Sequence, residues 1–194
     1  MKKTVFLFIL IVGMACAEKK STPSKAEQIT AYYEGFKNSD YSQIKRTLAD
    51  SLINIEGDFT TRYSSDSYHE LFKWDSVFKP VYKLVSIENQ EENPIATVSV
   101  SASKFEFLKK NPLIFRQKFY FKSGKIAKTE NAGFIDNNFE SWGIQRAAIV
   151  NWVKLNHPEL DGFMNDMTMK GAQNYLKAME LYENSNKDSS DDEL

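Results

Sequence analysis

Residues 96–103 alternate without a break. Ala96, Val98, Val100 and Ala102 are apolar, and Thr97, Ser99, Ser101 and Ser103 between them are polar. A period of two marks a strand with one buried face, because successive side chains point to opposite sides of a sheet. Two-sided segregation returns further on: Phe115, Phe119 and Phe121 share one face, while Arg116, Lys118, Tyr120 and Lys122 take the other. Ser123-Gly124 is a two-residue break suited to positive φ, and it predicts a strand folding straight back through residues 126–130. Residues 95–131 therefore read as three antiparallel strands. They predict a long, bent sheet with an aromatic inner face that helices must cover.

Helical periods bracket that sheet. Ser24 and Glu27 have the spacing of a capping box, and the helix they open carries Ile29, Tyr32, Tyr33 and Phe36 in one stripe. Asn38-Ser39 breaks it. Asp40 with Gln43 opens a shorter helix with Tyr41, Ile44 and Leu48 on its buried side. Residues 52–55 are a short strand candidate, closed by Gly57-Asp58. Ser67 and Glu70 repeat the capping spacing ahead of a third helix carrying Leu71, Phe72 and Trp74, and residues 81–88 form the next strand.

After Gly133, the residues Ile144, Ala148, Trp152 and Leu155 occupy one helical face, with Ile149 and Val153 widening it. Pro158 suits the first turn of another helix, and Ala172, Tyr175, Leu176, Met179 and Tyr182 make a last stripe. Such stripes must be covered. The expected cover is the outer face of the sheet, the alternative a partner chain, a homodimer included. From residue 184 the chain is polar and acidic, which predicts a disordered tail to residue 194.

This order of elements resembles the nuclear transport factor 2-like superfamily, which includes ketosteroid isomerases and SnoaL-like polyketide cyclases. Three segments carry the resemblance: Ala31-Tyr32-Tyr33-Glu34-Gly35-Phe36-Lys37-Asn38-Ser39-Asp40, then Leu48-Ala49-Asp50-Ser51, then Phe121-Lys122-Ser123-Gly124-Lys125-Ile126. It covers residues 24–133. The resemblance implies an α+β fold, a cone-shaped curved antiparallel sheet wrapped around N-terminal helices, with a pocket at its open end. Residues 134–183 add a C-terminal helical extension. Enzymes of this superfamily place an Asp, His or Tyr in the pocket as acid or base. No such motif matches residue by residue here, and the fold alone does not define an activity.

Composition narrows the partners. Fourteen Phe, nine Tyr and three Trp among 194 residues supply a core, or a core plus a lined cavity. A formal charge of -1 offers no electrostatic footprint for nucleic acid.

The N-terminus has the parts of an export signal: Lys2-Lys3, an apolar run over residues 5–15, then small residues. The run is shorter than the roughly 20 residues a membrane span needs. With Cys16 at its end it resembles a bacterial lipoprotein signal, in which the cysteine becomes the lipid-bearing first residue. Gly13 and Met14 depart from that pattern, and Ala15-Cys16-Ala17 also fits an ordinary secretory cut after Ala17. The expectation is a signal peptide at 1–15 and a lipidated Cys16 with a tether at 16–23. The chain would then sit at the bacterial cell envelope, facing periplasm or exterior, with a membrane as partner through its lipid anchor. The alternative is a secreted chain. Removing residues 1–15 takes away Lys2 and Lys3 and no acid, leaving 23 basic against 26 acidic residues. As the one cysteine, Cys16 excludes an internal disulfide and a Cys-based zinc cluster. No metal or cofactor is predicted.

The candidate pocket residues are Tyr32, Tyr33, His69, Trp74, Gln117 and Phe119. Gln117 interrupts the Phe115–Phe119–Phe121 face, and a buried amide needs partners on a neighbouring strand or on a ligand. Tyr32 and Tyr33 offer hydroxyls at the helix–sheet seam, where packing with a wet tip is the plainer role. His69 is either a solvated helix residue or, at a pocket's border, a group able to move a proton near neutral pH. No repeat, phosphate-binding loop, nucleophile elbow or acid–base pair is visible. The expected function is binding of a small apolar ligand or a protein partner. The alternative is a pocket enzyme of the isomerase, cyclase or dehydratase type, using acid–base proton transfer.

Overall fold

The computed structural model describes residues 23–88, 92–109, 111–135 and 139–191. The expected signal segment, Cys16 and all of the tether but Pro23 lie outside the described residues.

Helix α1 (Lys25–Lys37) opens on the capping box: the Ser24 hydroxyl accepts from the Glu27 N–H at 3.2 Å, and the Glu27 carboxylate accepts from the Ser24 N–H at 2.7 Å. Helix α2 (Tyr41–Thr47) is capped by Asp40, whose carboxylate accepts from the Gln43 N–H at 3.1 Å. The two helices touch at Gly35, where a Cβ would stand 2.6 Å from Ile44 Cγ1. Leu48 does not extend α2. It starts strand β1 (Leu48–Glu56), which pairs antiparallel with β2 (Phe59–Ser64). Strand β2 is missing from the sequence reading because it lies at the sheet edge with almost every residue exposed, so no buried face imposes alternation.

The cap of α3 (Ser65–Ser76) is Ser64, not Ser67: the Ser64 hydroxyl accepts from the Ser67 N–H at 3.1 Å. Ser64 ends β2 in extended backbone, and that geometry makes it the cap. Then follow β3 (Val81–Glu88), β4 (Ile95–Ser101), the short α4 (Ser103–Phe107), β5 (Leu113–Lys122) and β6 (Lys125–Ile135). Ser123 and Gly124, with φ of 50° and 74°, make the predicted tight turn between the last two.

The six strands run in the order β2-β1-β6-β5-β4-β3. Neighbours are antiparallel, except that β1 and β6 are parallel, a departure from the wholly antiparallel expectation. No hairpin joins these two strands, so no tight turn constrains their direction. Register shifts in β1, β3 and twice in β6 bend the ladder, leaving a curved, unclosed sheet around α1. The α+β cone is therefore present. Its first core lies inside the sheet, around Ile29, Ile44, Leu52, Val98, Phe119 and Ile126.

The extension is α5 (Phe139–Asn156), a 3₁₀ turn (Pro158–Leu160) and α6 (Met169–Asp191). It does not cover the outer face of the sheet. Ile149, Val153, Phe163, Ala172 and Tyr175 pack against Trp74 and Phe78 at the end of α3, forming a second core. On α5 the buried residues are Ile149 and Val153, while Ile144 and Leu155 are 61% and 82% exposed. Two apolar faces compete on that helix, and packing against α6 and the 3₁₀ turn decides between them. The backbone of α6 stays helical through Asp191, past residue 184 where composition alone predicts loss of order. Among the described residues no helix is long and apolar enough to cross a membrane.

Candidate functional site

A polar band crosses the inner face of the sheet. Asn54 on β1 sits opposite Thr129 on β6, and the Thr129 hydroxyl donates to Asn54 Oδ1 at 2.8 Å. Gln117 on β5 sits opposite Asn131 on β6. The Tyr33 hydroxyl reaches down from α1 and donates to Gln117 Oε1. Beside it the hydroxyls of Tyr32 and Tyr68 share a hydrogen bond.

Opposite this band lies a charged cluster that the sequence reading missed. Lys104 Nζ on α4 donates to Asp75 Oδ1 on α3 at 2.6 Å, and the Tyr82 hydroxyl on β3 donates to Asp75 Oδ2 at 2.7 Å. The Lys104 ammonium also lies over the Trp74, Phe78 and Phe105 rings, at 4.4, 4.8 and 5.2 Å from their centroids. No spacing could have paired Asp75 with Lys104, because the turn into α4 brings them together. A lysine inside the run Ser103-Lys104-Phe105 was the one available signal.

Between band and cluster is an open cavity of about 770 Å³. Of the expected pocket residues, Tyr32, Tyr33, Trp74 and Gln117 line it. Phe119 and His69 do not. Phe119 is fully buried in the first core, with Tyr32 and Tyr33 edge-on to it at 5.9 and 6.1 Å. His69 stacks on Tyr41, with ring centroids 4.1 Å apart, because α3 turns that side toward α2. Asn54, Glu56, Tyr68, Asp75, Tyr82, Lys104 and Thr129 join the lining and were not foreseen as such.

Burial raises the hydroxyl pKa values of Tyr32, Tyr33, Tyr68 and Tyr82 well above the ordinary 10.0, since water is excluded from the charged form. At Tyr32 the hydrogen bond with Tyr68 acts in the opposite direction but is the smaller effect. These phenols are therefore neutral hydrogen-bonding groups at physiological pH. Both Asp75 oxygens accept hydrogen bonds, which fixes the carboxylate between Lys104 and Tyr82. Among the described residues no group of three His, Cys, Asp or Glu side chains is placed to hold a metal ion.

Fold and site together define an α+β cone with an open, aromatic-walled cavity and an internal polar band. No protein-family model and no curated protein matches the chain. Among solved structures it is similar to a candidate polyketide cyclase from Sinorhizobium meliloti, at 13% identity and TM-score 0.47 over 54% of this chain and 92% of that one. It is also similar to a nuclear transport factor 2-like protein of unknown function from Cytophaga hutchinsonii, at 9% identity and TM-score 0.48 over 60% and 94%. A third is a candidate ketosteroid isomerase from Kribbella flavida, at 7% identity and TM-score 0.47 over 57% and 76%.

Proposed function

We propose that this chain is a binding domain of the nuclear transport factor 2-like kind, which takes up a small, largely apolar molecule and is held at the cell envelope through Cys16. The carrying observation is the cavity. Its volume of about 770 Å³ falls inside the range of about 300–1,000 Å³ of small-molecule sites. Aromatic rings make up nearly half of its lining residues, and its polar groups are fewer and convergent. Binding is favoured over proton transfer because both Asp75 oxygens already accept hydrogen bonds, the buried phenols are weak acids, His69 lies outside the cavity, and Glu56 sits at the exposed mouth.

Mass spectrometry of small molecules released from natively purified protein tests this reading. The expected result is a stoichiometric apolar compound whose return changes the emission of Trp74, on the cavity wall. Protein that carries nothing and shows no saturable response to apolar probes would overturn it. The tether has its own test. Acyl chains contribute about 0.8 kcal/mol per buried methylene, so a multiply acylated Cys16 holds the domain to a membrane. The native protein is expected to fractionate with membranes, and Cys16→Ser to release it or block its processing. An intact mass matching an unmodified chain from Glu18 would leave a secreted protein.

A further inference from the structure

The charges lining the cavity do not cancel. Its charged residues, among those described, are Asp75, Lys104 and Glu56. The Lys104 charge is taken up by Asp75 at 2.6 Å and by three aromatic faces. That leaves Glu56. The period of β1 puts Leu52, Asn54 and Glu56 on one face: Leu52 sits in the core, Asn54 in the polar band, and Glu56 at the exposed end. There it pairs across the hairpin with Phe59, which is 79% exposed; Phe134, 43% exposed and edge-on to Phe139 at 5.1 Å, lines the same cavity. Glu56 enters no ion pair among the described residues, and its Oε1 accepts from Asn54 Nδ2 at 3.4 Å.

We infer that the cavity selects a cationic amphiphile, a hydrophobic amine or quaternary ammonium. Its charged head sits at the mouth between Glu56 and the faces of Phe59 and Phe134. Its apolar body lies inside against Tyr33, Phe72 and Trp74. This inference rests on the binding reading and specifies its ligand. Aromatic faces attract cations through their quadrupoles, most strongly where water is excluded. The same wall already holds one ammonium in this way, that of Lys104. An anionic head would meet Glu56, with the Lys104 charge already paired.

The test is calorimetric titration of the purified protein with octyltrimethylammonium and octyl sulfate, each below its micellar concentration, and with octanol below its solubility limit. The cation is expected to bind about fivefold or more tighter than octanol, the size of a favourable ion pair with added cation–π attraction. Octyl sulfate should be the weakest. Glu56→Gln should cut the cation's advantage over octanol by about fivefold at an unchanged melting temperature, because it removes a charge at an exposed position. Added salt should weaken the cation selectively. Equal affinities for cation and octanol, tighter binding of the sulfate, or indifference of the cation to Glu56→Gln would each overturn the inference while leaving the binding reading intact. Failure of all three probes to bind would overturn both.

Discussion

Lys104 Nζ lies 2.6 Å from Asp75 Oδ1, with the two side chains only 11% and 14% exposed, where the cavity meets the helical extension. The pair joins the two cores. Lys104 stands over Trp74 and Phe78 of the second core, while Asp75 receives the Tyr82 hydroxyl from β3. A buried pair is poor evidence of net stability, but losing one member strands the other.

Lys104→Met should therefore destabilise the protein by about 3–5 kcal/mol. Adding Asp75→Asn, which removes the stranded charge and keeps an acceptor for Tyr82, should restore part of that loss. Urea unfolding of both variants checks this. If the double variant is no more stable than Lys104→Met alone, the pair is not the coupled unit described.

Gly171 on α6 allows a close approach to Asp166, whose carbonyl oxygen accepts from the Trp74 indole N–H at 3.0 Å. A Cβ at Gly171 would collide with that carbonyl and stand 2.6 Å from Asp166 Cβ. Gly171→Ala should cost about 1–3 kcal/mol through overpacking and shift Trp74 emission, read in a background with Trp142 and Trp152 replaced by Phe. Unchanged stability and emission would show that the loop carrying Asp166 yields freely.

Tyr33 and Gln117 satisfy each other across the helix–sheet seam. Tyr33→Phe and Gln117→Leu should each cost about 1–2 kcal/mol, because each leaves a largely buried polar group unpaired. The double variant should lose less than the sum. A double-mutant cycle by thermal unfolding measures the coupling, and strict additivity would contradict it.

The buried phenols make stability fall at alkaline pH. Tyr33, Tyr68 and Tyr82 have folded pKa values raised by burial above the ordinary 10.0, and Tyr175 is pushed up to about 12. A raised folded pKa means that the folded state holds its protons longer than the unfolded chain. That stability is whole below pH 10 and is lost as pH climbs toward the folded values. Urea midpoints should be level near pH 8–9 and drop from about pH 10 upward, with phenolate absorbance of the buried set rising only as the protein unfolds. Free titration of every tyrosine near pH 10 in folded protein would refute the burial.

Much of the cone was legible in short stretches. The alternation at Ala96, Val98 and Val100 became β4 with those three side chains buried, and Ser24 with Glu27 became the cap of α1. Ser123-Gly124 became the β5–β6 turn. Each of these signals is complete within a few residues, because side-chain period, capping hydrogen bonds and turn φ values are local properties.

What stayed hidden depends on neighbours distant along the chain. Strand β2 borrows its order from β1, and α5 buries Ile149 rather than Ile144 because α6 and the 3₁₀ turn pack on that side. Gln117 was recognisable as a buried amide in need of a partner, but only folding supplied the Tyr33 hydroxyl. Asp75 and Lys104 are 29 residues apart and unremarkable in sequence until two turns close on the same aromatic wall. The sequence by itself determined strand β4, the β5–β6 turn and the cap of α1, since those follow from local sterics and hydrogen bonding. Tertiary structure alone decided which charge is paired, which is left at the mouth, and which apolar face is covered, because burial and charge pairing are set by whatever packs opposite.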